Sequence, residues 1–287
     1  MRGIMKPVLV LGATGVVGRG IVQAAVAQGR PVVAVARDAD GLARLKAAHP
    51  DADIAVVAGS VADDVASAAL AVELRNLGRP LSGVVAAMAG APVRGRLLDQ
   101  PASALCERVC SDVVPHLAAA RALLPLLAEA RRGGSYVLIG GPGSELPWSG
   151  YGQRSIAAAS LRMLARVLHD EALPLGVRVQ LLSVEAPVAQ GRHACAQWPT
   201  AEAIGRRALA LLDRSEAVPV QPVVGAAAPH ATDAAIASLT FPSLETRRSV
   251  SPPPAGDAQP AFEDARALLR RLATSPIQTE VPPHEAP

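Results

Sequence analysis

Aromatic residues are nearly missing from this chain of 287 residues: two Phe, two Trp and two Tyr make up 2% of it. None precedes Tyr136, so the first half offers no platform on which bases would stack. With a net charge of +3 whose signs are interspersed, a nucleic-acid partner is not expected. Cysteine is scarce as well. Cys106, Cys110 and Cys195 form an odd set that suits a reducing compartment, the cytoplasm, better than a disulfide framework. Long apolar runs are also missing, because Arg, His, Asp or Glu interrupts every stretch short of the ~18 residues a membrane span needs. Arg2 and Lys6 ahead of Val8 to Leu11 imitate the start of a signal peptide, but glycines at 12, 15 and 18 and then Arg19 break that run. The nucleophile elbow Gly-x-Ser-x-Gly does not occur, which argues against serine-hydrolase chemistry. His116, six residues past Cys110, leaves no four-ligand zinc set, so no metal is expected. Cys106 and Cys110 are then expected to be small buried residues of a helix, and His49, His169, His193 and His230 to lie at the surface.

What is present is apolar: 50% of the residues are hydrophobic, enough to bury a sizeable core. Short continuous runs at Val8 to Leu11, Val32 to Ala36, Ile54 to Val57, Val84 to Ala87, Tyr136 to Ile139 and Val177 to Leu182 have the pattern of strands buried on both faces. Between them lie stretches of helical period: Gly18 to Gln28, Asp40 to Ala48, Asp63 to Leu77, Ala102 to Arg131 with a break near Pro115, and Ser155 to Ala172. Strand and helix in alternation predict an α/β fold with a doubly wound parallel sheet. A further helix is expected over Ala201 to Leu212, N-capped by Thr200, and an edge strand over Ala217 to Val224, where prolines are tolerable. Of the 25 prolines, 10 fall in the 63 residues from Gly225 onward. One folded domain is therefore expected over 1–224, followed by a Pro/Ala-rich extension over 225–287. Within that extension only 261–273 has helical spacing, from Phe262, Ala265, Leu269 and Leu272.

The first run leads directly into Gly12-Ala13-Thr14-Gly15-Val16-Val17-Gly18 and then a helix. Glycines there allow a tight turn and a close approach to a pyrophosphate, whose charge the N–H groups at the helix start favour. The second run ends in Ala36-Arg37-Asp38. Arg37 suits a 2′-phosphate, since its fork makes paired charge-assisted hydrogen bonds, so NADP is expected over NAD; Asp38 remains available to pair with Arg37 or to take a ribose. Ser60, beyond the third run, and Ala87 and Gly90, beyond the fourth, complete the expected cofactor-binding set with Gly12, Thr14, Gly15, Val16, Val17, Gly18 and Arg37.

Taken together, GATGVVG at 12–18, VARD at 35–38, AAMAG at 86–90 and YGQRS at 151–155 resemble the short-chain dehydrogenase/reductase family over roughly Lys6 to Val224. The resemblance implies a Rossmann-type sheet, a nicotinamide cofactor, a carbonyl or alcohol substrate, and a homodimer or homotetramer formed across the two long helices. Tyr151 matches the family's proton-transferring tyrosine. The rest of the catalytic set departs from the pattern. Gly140 and Gly141 stand where serines are expected, leaving Ser144 as the nearest hydroxyl. Ser155 stands where the family has a lysine, leaving Arg154 as the nearest cation. Asp112 replaces a structural asparagine, and Ser183 to Pro187 lacks an in-register Pro-Gly. A free phenol titrates near ~10, so proton transfer at neutral pH needs about 4 kcal/mol of phenolate stabilisation. Two readings follow: an NADP(H)-dependent oxidoreductase using Tyr151, Ser144 and Arg154, or a nucleotide-binding sensor or partner subunit that has lost hydride transfer. Arg94, Arg96, Arg192, His193 and Trp198, in the loops that would border the substrate, hint at an anionic or aromatic molecule.

Overall fold

The computed structural model describes residues 5–91, 93–129, 134–190, 197–214 and the backbone of 220–223. The C-terminal extension over 225–287, its helix over 261–273, Arg192, His193, Cys195 and His230 lie outside the described residues.

Seven parallel strands form one sheet in the order β3-β2-β1-β4-β5-β6-β7. They are β1 (Val8–Leu11), β2 (Val32–Ala36), β3 (Ile54–Ala58), β4 (Gly83–Ala86), β5 (Ser135–Gly140), β6 (Arg178–Val184) and β7 (Val220–Val223). The helices are α1 (Val16–Ala27), α2 (Ala39–Ala47), α3 (Asp64–Asn76), α4 (Ala102–Asp112), α5 (Val114–Ala128), α6 (Gly152–Ala172) and α7 (Ala201–Asp213). Side chains alternate across a strand, so β1 sends Val8 and Val10 to one face and Leu9 and Leu11 to the other. The Val8 face packs with α1, α2 and α7, through residues such as Ile21, Leu42 and Leu209. The Leu9 face packs with α3, α5 and α6, through Leu70, Leu123 and Leu161. Coverage on both faces is why the central strands are apolar at every position rather than at alternate ones.

The order reverses between β1 and β4, and there the connections to α1 and α4 leave the sheet in opposite directions and open a crevice at the strands' C-terminal ends. Helix α1, which leads away from that crevice, is held by α7. A Cβ on Gly20 would come within 2.3 Å of the Ala201 backbone, and one on Gly205 within 2.6 Å of the Gly20 carbonyl. The predicted break near Pro115 falls at Val113, between α4 and α5. Together these helices make a segment of 27 residues, apolar enough in composition to cross a bilayer. It is nonetheless interrupted at Val113, and the face α4 buries carries Arg108 and Asp112.

That face corrects one expectation. Cys106 and Cys110 are exposed, because Arg108 and Asp112 occupy the inward side of α4 and the thiols point away from it. A second correction concerns His169, which is half-buried and places Nδ1 2.8 Å from the Val179 carbonyl of β6.

Candidate active site

Gly12 ends β1 with φ +74°, and a Cβ there would lie 2.3 Å from the Ala87 carbonyl oxygen. Only glycine allows both the left-handed turn and this close approach between the ends of β1 and β4. Gly18 is equally confined, with its missing Cβ 2.0 Å from the Gly12 oxygen, so α1 begins directly against the turn. Helices α2, α3 and α7 are N-capped by Asp38, Asp63 and Thr200. Helix α1 starts at Gly15 with no side-chain cap and no acidic residue in its first turn. The first-turn N–H groups of Val16, Val17 and Gly18 therefore have neither an intrahelical carbonyl nor a side chain to meet, which is the arrangement an anion satisfies. Arg19, a residue the glycine spacing does not flag, folds back to donate to the Thr14 carbonyl at 2.8 Å and brings a guanidinium to the same turn.

The cleft above this turn has a volume of about 730 Å³ and is bordered by Gly12, Thr14, Gly15, Arg37, Ser60 and Gly90 among others. Arg37 is exposed and has no ion-pair partner among the described residues. Asp38 is committed elsewhere: it accepts from the Gly41 N–H at 2.9 Å as the cap of α2 and pairs with Arg44 at 3.4 Å. Ser60 accepts from the Ala62 N–H at 3.1 Å, which fixes the chain as it leaves β3. The glycine cradle and the uncapped helix fit the pyrophosphate of a dinucleotide.

Beyond Ala87 the chain is pinned from beneath. Gly90 donates its N–H to Asp112 Oδ1 at 2.7 Å, and Arg108 and Ser111 approach the same carboxylate at 3.4 and 3.2 Å. His116, fully buried, reaches the Met88 carbonyl through Nε2 at 3.0 Å. Burial holds its imidazole down to about 4, chiefly by desolvation, so it is neutral and Nε2 carries the donated proton. Asp112 thus acts as a cap for the 88–90 segment and as the counter-charge to Arg108.

Tyr151 opens α6 and stacks on Trp148, with ring centroids 4.3 Å apart. The chain's other tyrosine, Tyr136, is buried inside β5, where desolvation pushes its phenol above the usual range, so it has no access to substrate. Arg154 donates through Nη1 to the Gly90 carbonyl at 3.3 Å, and its Nη2 lies 3.4 Å from where a Cβ of Gly141 would be. A Cβ at Gly141 would therefore touch the guanidinium in ordinary van der Waals contact. Desolvation by burial lowers Arg154, against the attraction of Asp112; Arg108 opposes and the nearby Tyr151 phenol favours its charge. A guanidinium remains protonated under these conditions.

Ser155 does not replace the missing lysine. Its hydroxyl accepts from the Trp148 N–H at 2.9 Å and donates to the Tyr151 carbonyl at 3.2 Å. Gly143, at φ +97°, crosses so close that a Cβ there would lie 2.6 Å from Ser155 Oγ. The loop between β5 and α6 has closed over the space a lysine would take. Ser144 turns toward β6: it donates to Glu185 Oε1 at 2.7 Å and lies 3.3 Å from Ser183 Oγ. Ser183 also donates to Glu185, and Arg162 reaches Ser144 Oγ at 3.5 Å. The structure thus brings Tyr151 and Arg154 together with Gly90, Asp112 and Arg108, and gives Ser144 different partners. The residues that sequence reasoning left out are Arg19, Arg108 and Glu185. Among the described residues no cluster of three or more His, Cys, Asp or Glu side chains has the geometry to hold a metal.

A family model described as enoyl-(acyl carrier protein) reductase matches residues 12–214. The chain belongs to the short-chain dehydrogenase/reductase family of oxidoreductases. No curated protein sequence matches it. Among solved structures it is similar to a short-chain dehydrogenase from Streptomyces avermitilis, at 23% identity and a TM-score of 0.66, covering 98% of this chain and 100% of that one. It is also similar to the NADPH-bound short chain oxidoreductase from Pseudomonas aeruginosa PAO1 that contains an atypical catalytic center. That likeness has 20% identity and a TM-score of 0.67, and covers 78% of this chain and 98% of that one. A third is YwfH, an NADPH-dependent reductase involved in bacilysin biosynthesis, at 18% identity and a TM-score of 0.65, covering 78% and 100%.

Proposed function

We propose that this chain is an NADP(H)-dependent oxidoreductase of a carbonyl or alcohol substrate, with Tyr151 as the proton-transferring residue and Arg154 as the cation that replaces both the family's lysine and its serine. The observation that carries this reading is the half-buried Arg154 guanidinium, which donates to the Gly90 carbonyl and belongs to the first turn of the helix that Tyr151 opens. A merely decayed site has no need to bury a charge, whose desolvation costs several kcal/mol unless it is compensated. Gly12, Thr14, Gly15, Val16, Val17, Gly18, Arg19 and Arg37 would hold the dinucleotide, and Ser60, Ala87 and Gly90 would border it. When bound, the reduced nicotinamide supplies a hydride to the carbonyl carbon. Tyr151 gives its proton to the carbonyl oxygen and regains one from solvent, while Arg154 stabilises the phenolate left between these events. Ser144, whose hydroxyl donates to Glu185, has no step in this reaction.

The test is NADPH oxidation measured spectrophotometrically against a broad panel of aldehydes and ketones. Turnover with some member supports the reading. Tight NADPH binding without turnover on any of them sinks it and leaves the sensor or partner-subunit alternative.

Selectivity for NADP over NAD rests on Arg37, since Asp38 is tied to α2. Arg37→Ala is expected to weaken NADPH binding by about 10- to 100-fold, the loss of one charge-assisted hydrogen-bonded pair, and to leave NADH binding as it was. Equal effects on the two nucleotides, read by calorimetry, would remove Arg37 from that role.

A homodimer is supported by apolar side chains that α6 leaves in solvent on one stripe, Ile156, Met163 and Val167, beside Val114 and Leu117 of α5. Sedimentation equilibrium is expected to return twice the chain mass; a monomer at micromolar concentration refutes this assembly.

A further inference from the structure

The loop that follows Gly90 is joined to the turn that carries the tyrosine. Gly95 donates its N–H to the Gly150 carbonyl at 2.9 Å and forms an isolated parallel β-bridge with Tyr151. Leu97 lies against Gly152, where a Cβ would come within 3.3 Å of the leucine Cβ. Gly150, at φ +77°, leaves its α-carbon bare beside Arg94, whose Cγ and Nε both lie 3.6 Å from the position a Cβ would take. The arginine stem is therefore laid along the residue next to Tyr151.

Three neighbouring arginines already have acidic partners. Arg96 pairs with Asp99 at 3.8 Å, Arg162 with Glu145 at 2.5 Å, and Arg108 with Asp112 at 3.4 Å. Glu185 accepts hydrogen bonds from Ser144 and Ser183. Arg94 has no ion-pair or hydrogen-bond partner among the described residues. Asp112 is the one carboxylate beside two guanidiniums, those of Arg108 and Arg154. The β4 side of the tyrosine thus carries surplus positive charge, while the β6 side presents Glu185.

We propose that the substrate is a carbonyl compound with a carboxylate close to its reacting carbon, a 2-oxo acid or the corresponding 2-hydroxy acid, and that Arg94 binds that carboxylate. The proposal rests on the oxidoreductase reading of the same site and names its substrate class. A planar carboxylate matches the guanidinium fork of Arg94, and the arginine stem beside Gly150, the residue before Tyr151, would hold the anion on the same side of the site as the tyrosine.

The experiment compares short and long 2-oxo acids with their methyl esters, in NADPH oxidation by the full chain and in calorimetric binding to the NADP-loaded chain. The acid is expected to exceed its ester by about 10- to 100-fold in kcat/KM, carried by KM, and by a similar factor in affinity. In Arg94→Gln the ratio of acid to ester falls to about one, whereas Arg96→Gln keeps it. Acid and ester turned over equally, or a ratio that survives Arg94→Gln, overturns the proposal and leaves the oxidoreductase reading standing. If neither compound is turned over, the oxidoreductase reading is decided by the broad carbonyl panel and the binding arm decides this one: preference for the acid that Arg94→Gln abolishes supports it, and no preference or no binding of either compound overturns it.

Discussion

A Tyr151→Phe chain is expected to bind NADPH as the wild type does and to reduce its carbonyl substrate about 10²- to 10⁴-fold more slowly, the range a positioned proton donor contributes. The separation between binding and turnover follows from the layout of the site. The groups that would meet the phosphates belong to the β1–α1 turn, Arg19 and Arg37, while Tyr151 begins α6. Phenylalanine keeps the stack on Trp148, so the loop between β5 and α6 retains its seat and only the hydroxyl is lost. The companion substitution is Arg154→Met, which preserves the stem and removes the charge. Its effect on kcat should be of the same kind, and the double variant should be little worse than either alone, because the two groups serve one proton transfer and such units are not additive. Stopped-flow NADPH oxidation alongside nucleotide titration reads both quantities. Turnover that is unchanged in Tyr151→Phe would remove the tyrosine from the chemistry altogether.

Asp112→Ala is expected to cost about 3–5 kcal/mol of stability, because it strands buried positive charge rather than deleting a surface pair. Arg108 and Asp112 have side chains only 9% and 10% exposed, and Arg154 draws on the same carboxylate. Alanine also removes the acceptor of the Gly90 N–H, the shortest of the contacts that hold the 88–90 segment. Asp112→Asn keeps an oxygen for that N–H and loses only the charge, so it should fall between the wild type and alanine. Urea denaturation of the three chains measures the series, and an alanine variant within about 1 kcal/mol of wild type would show that water reaches the guanidiniums and that the pair is not buried in the energetic sense. For a domain of this size the expected loss corresponds to a fall of roughly 10 °C in Tm.

The fold was legible because a parallel sheet covered on both faces writes each strand as a continuous apolar run, and six such runs, each followed by a helical stretch, leave few arrangements. The turn at Gly12 to Gly18 was legible for a related reason: three glycines at that spacing between a strand and a helix answer a steric demand that the Gly12 to Ala87 contact makes explicit. The catalytic end was less so. Periodicity assigns apolar residues to the inside, yet α4 turns Arg108 and Asp112 inward and leaves Cys106 and Cys110 in solvent. Nothing in the local sequence marks that inversion, since the partners that justify it, Gly90 and Arg154, are far away along the chain. The direction taken by Ser144 depends likewise on Glu185, a neighbour supplied by a different strand.

The bridge between Gly95 and Tyr151 has a bearing on how this chain would tolerate redesign. Loops after a sheet strand are usually the exchangeable parts of an α/β protein, traded to change what is recognised while the reaction centre stays fixed. Here the segment with Arg94 is hydrogen-bonded to the very turn that carries the tyrosine. A transplanted loop of different length would drag that turn with it, so under the proposed function recognition and reactivity would form one block rather than two interchangeable modules.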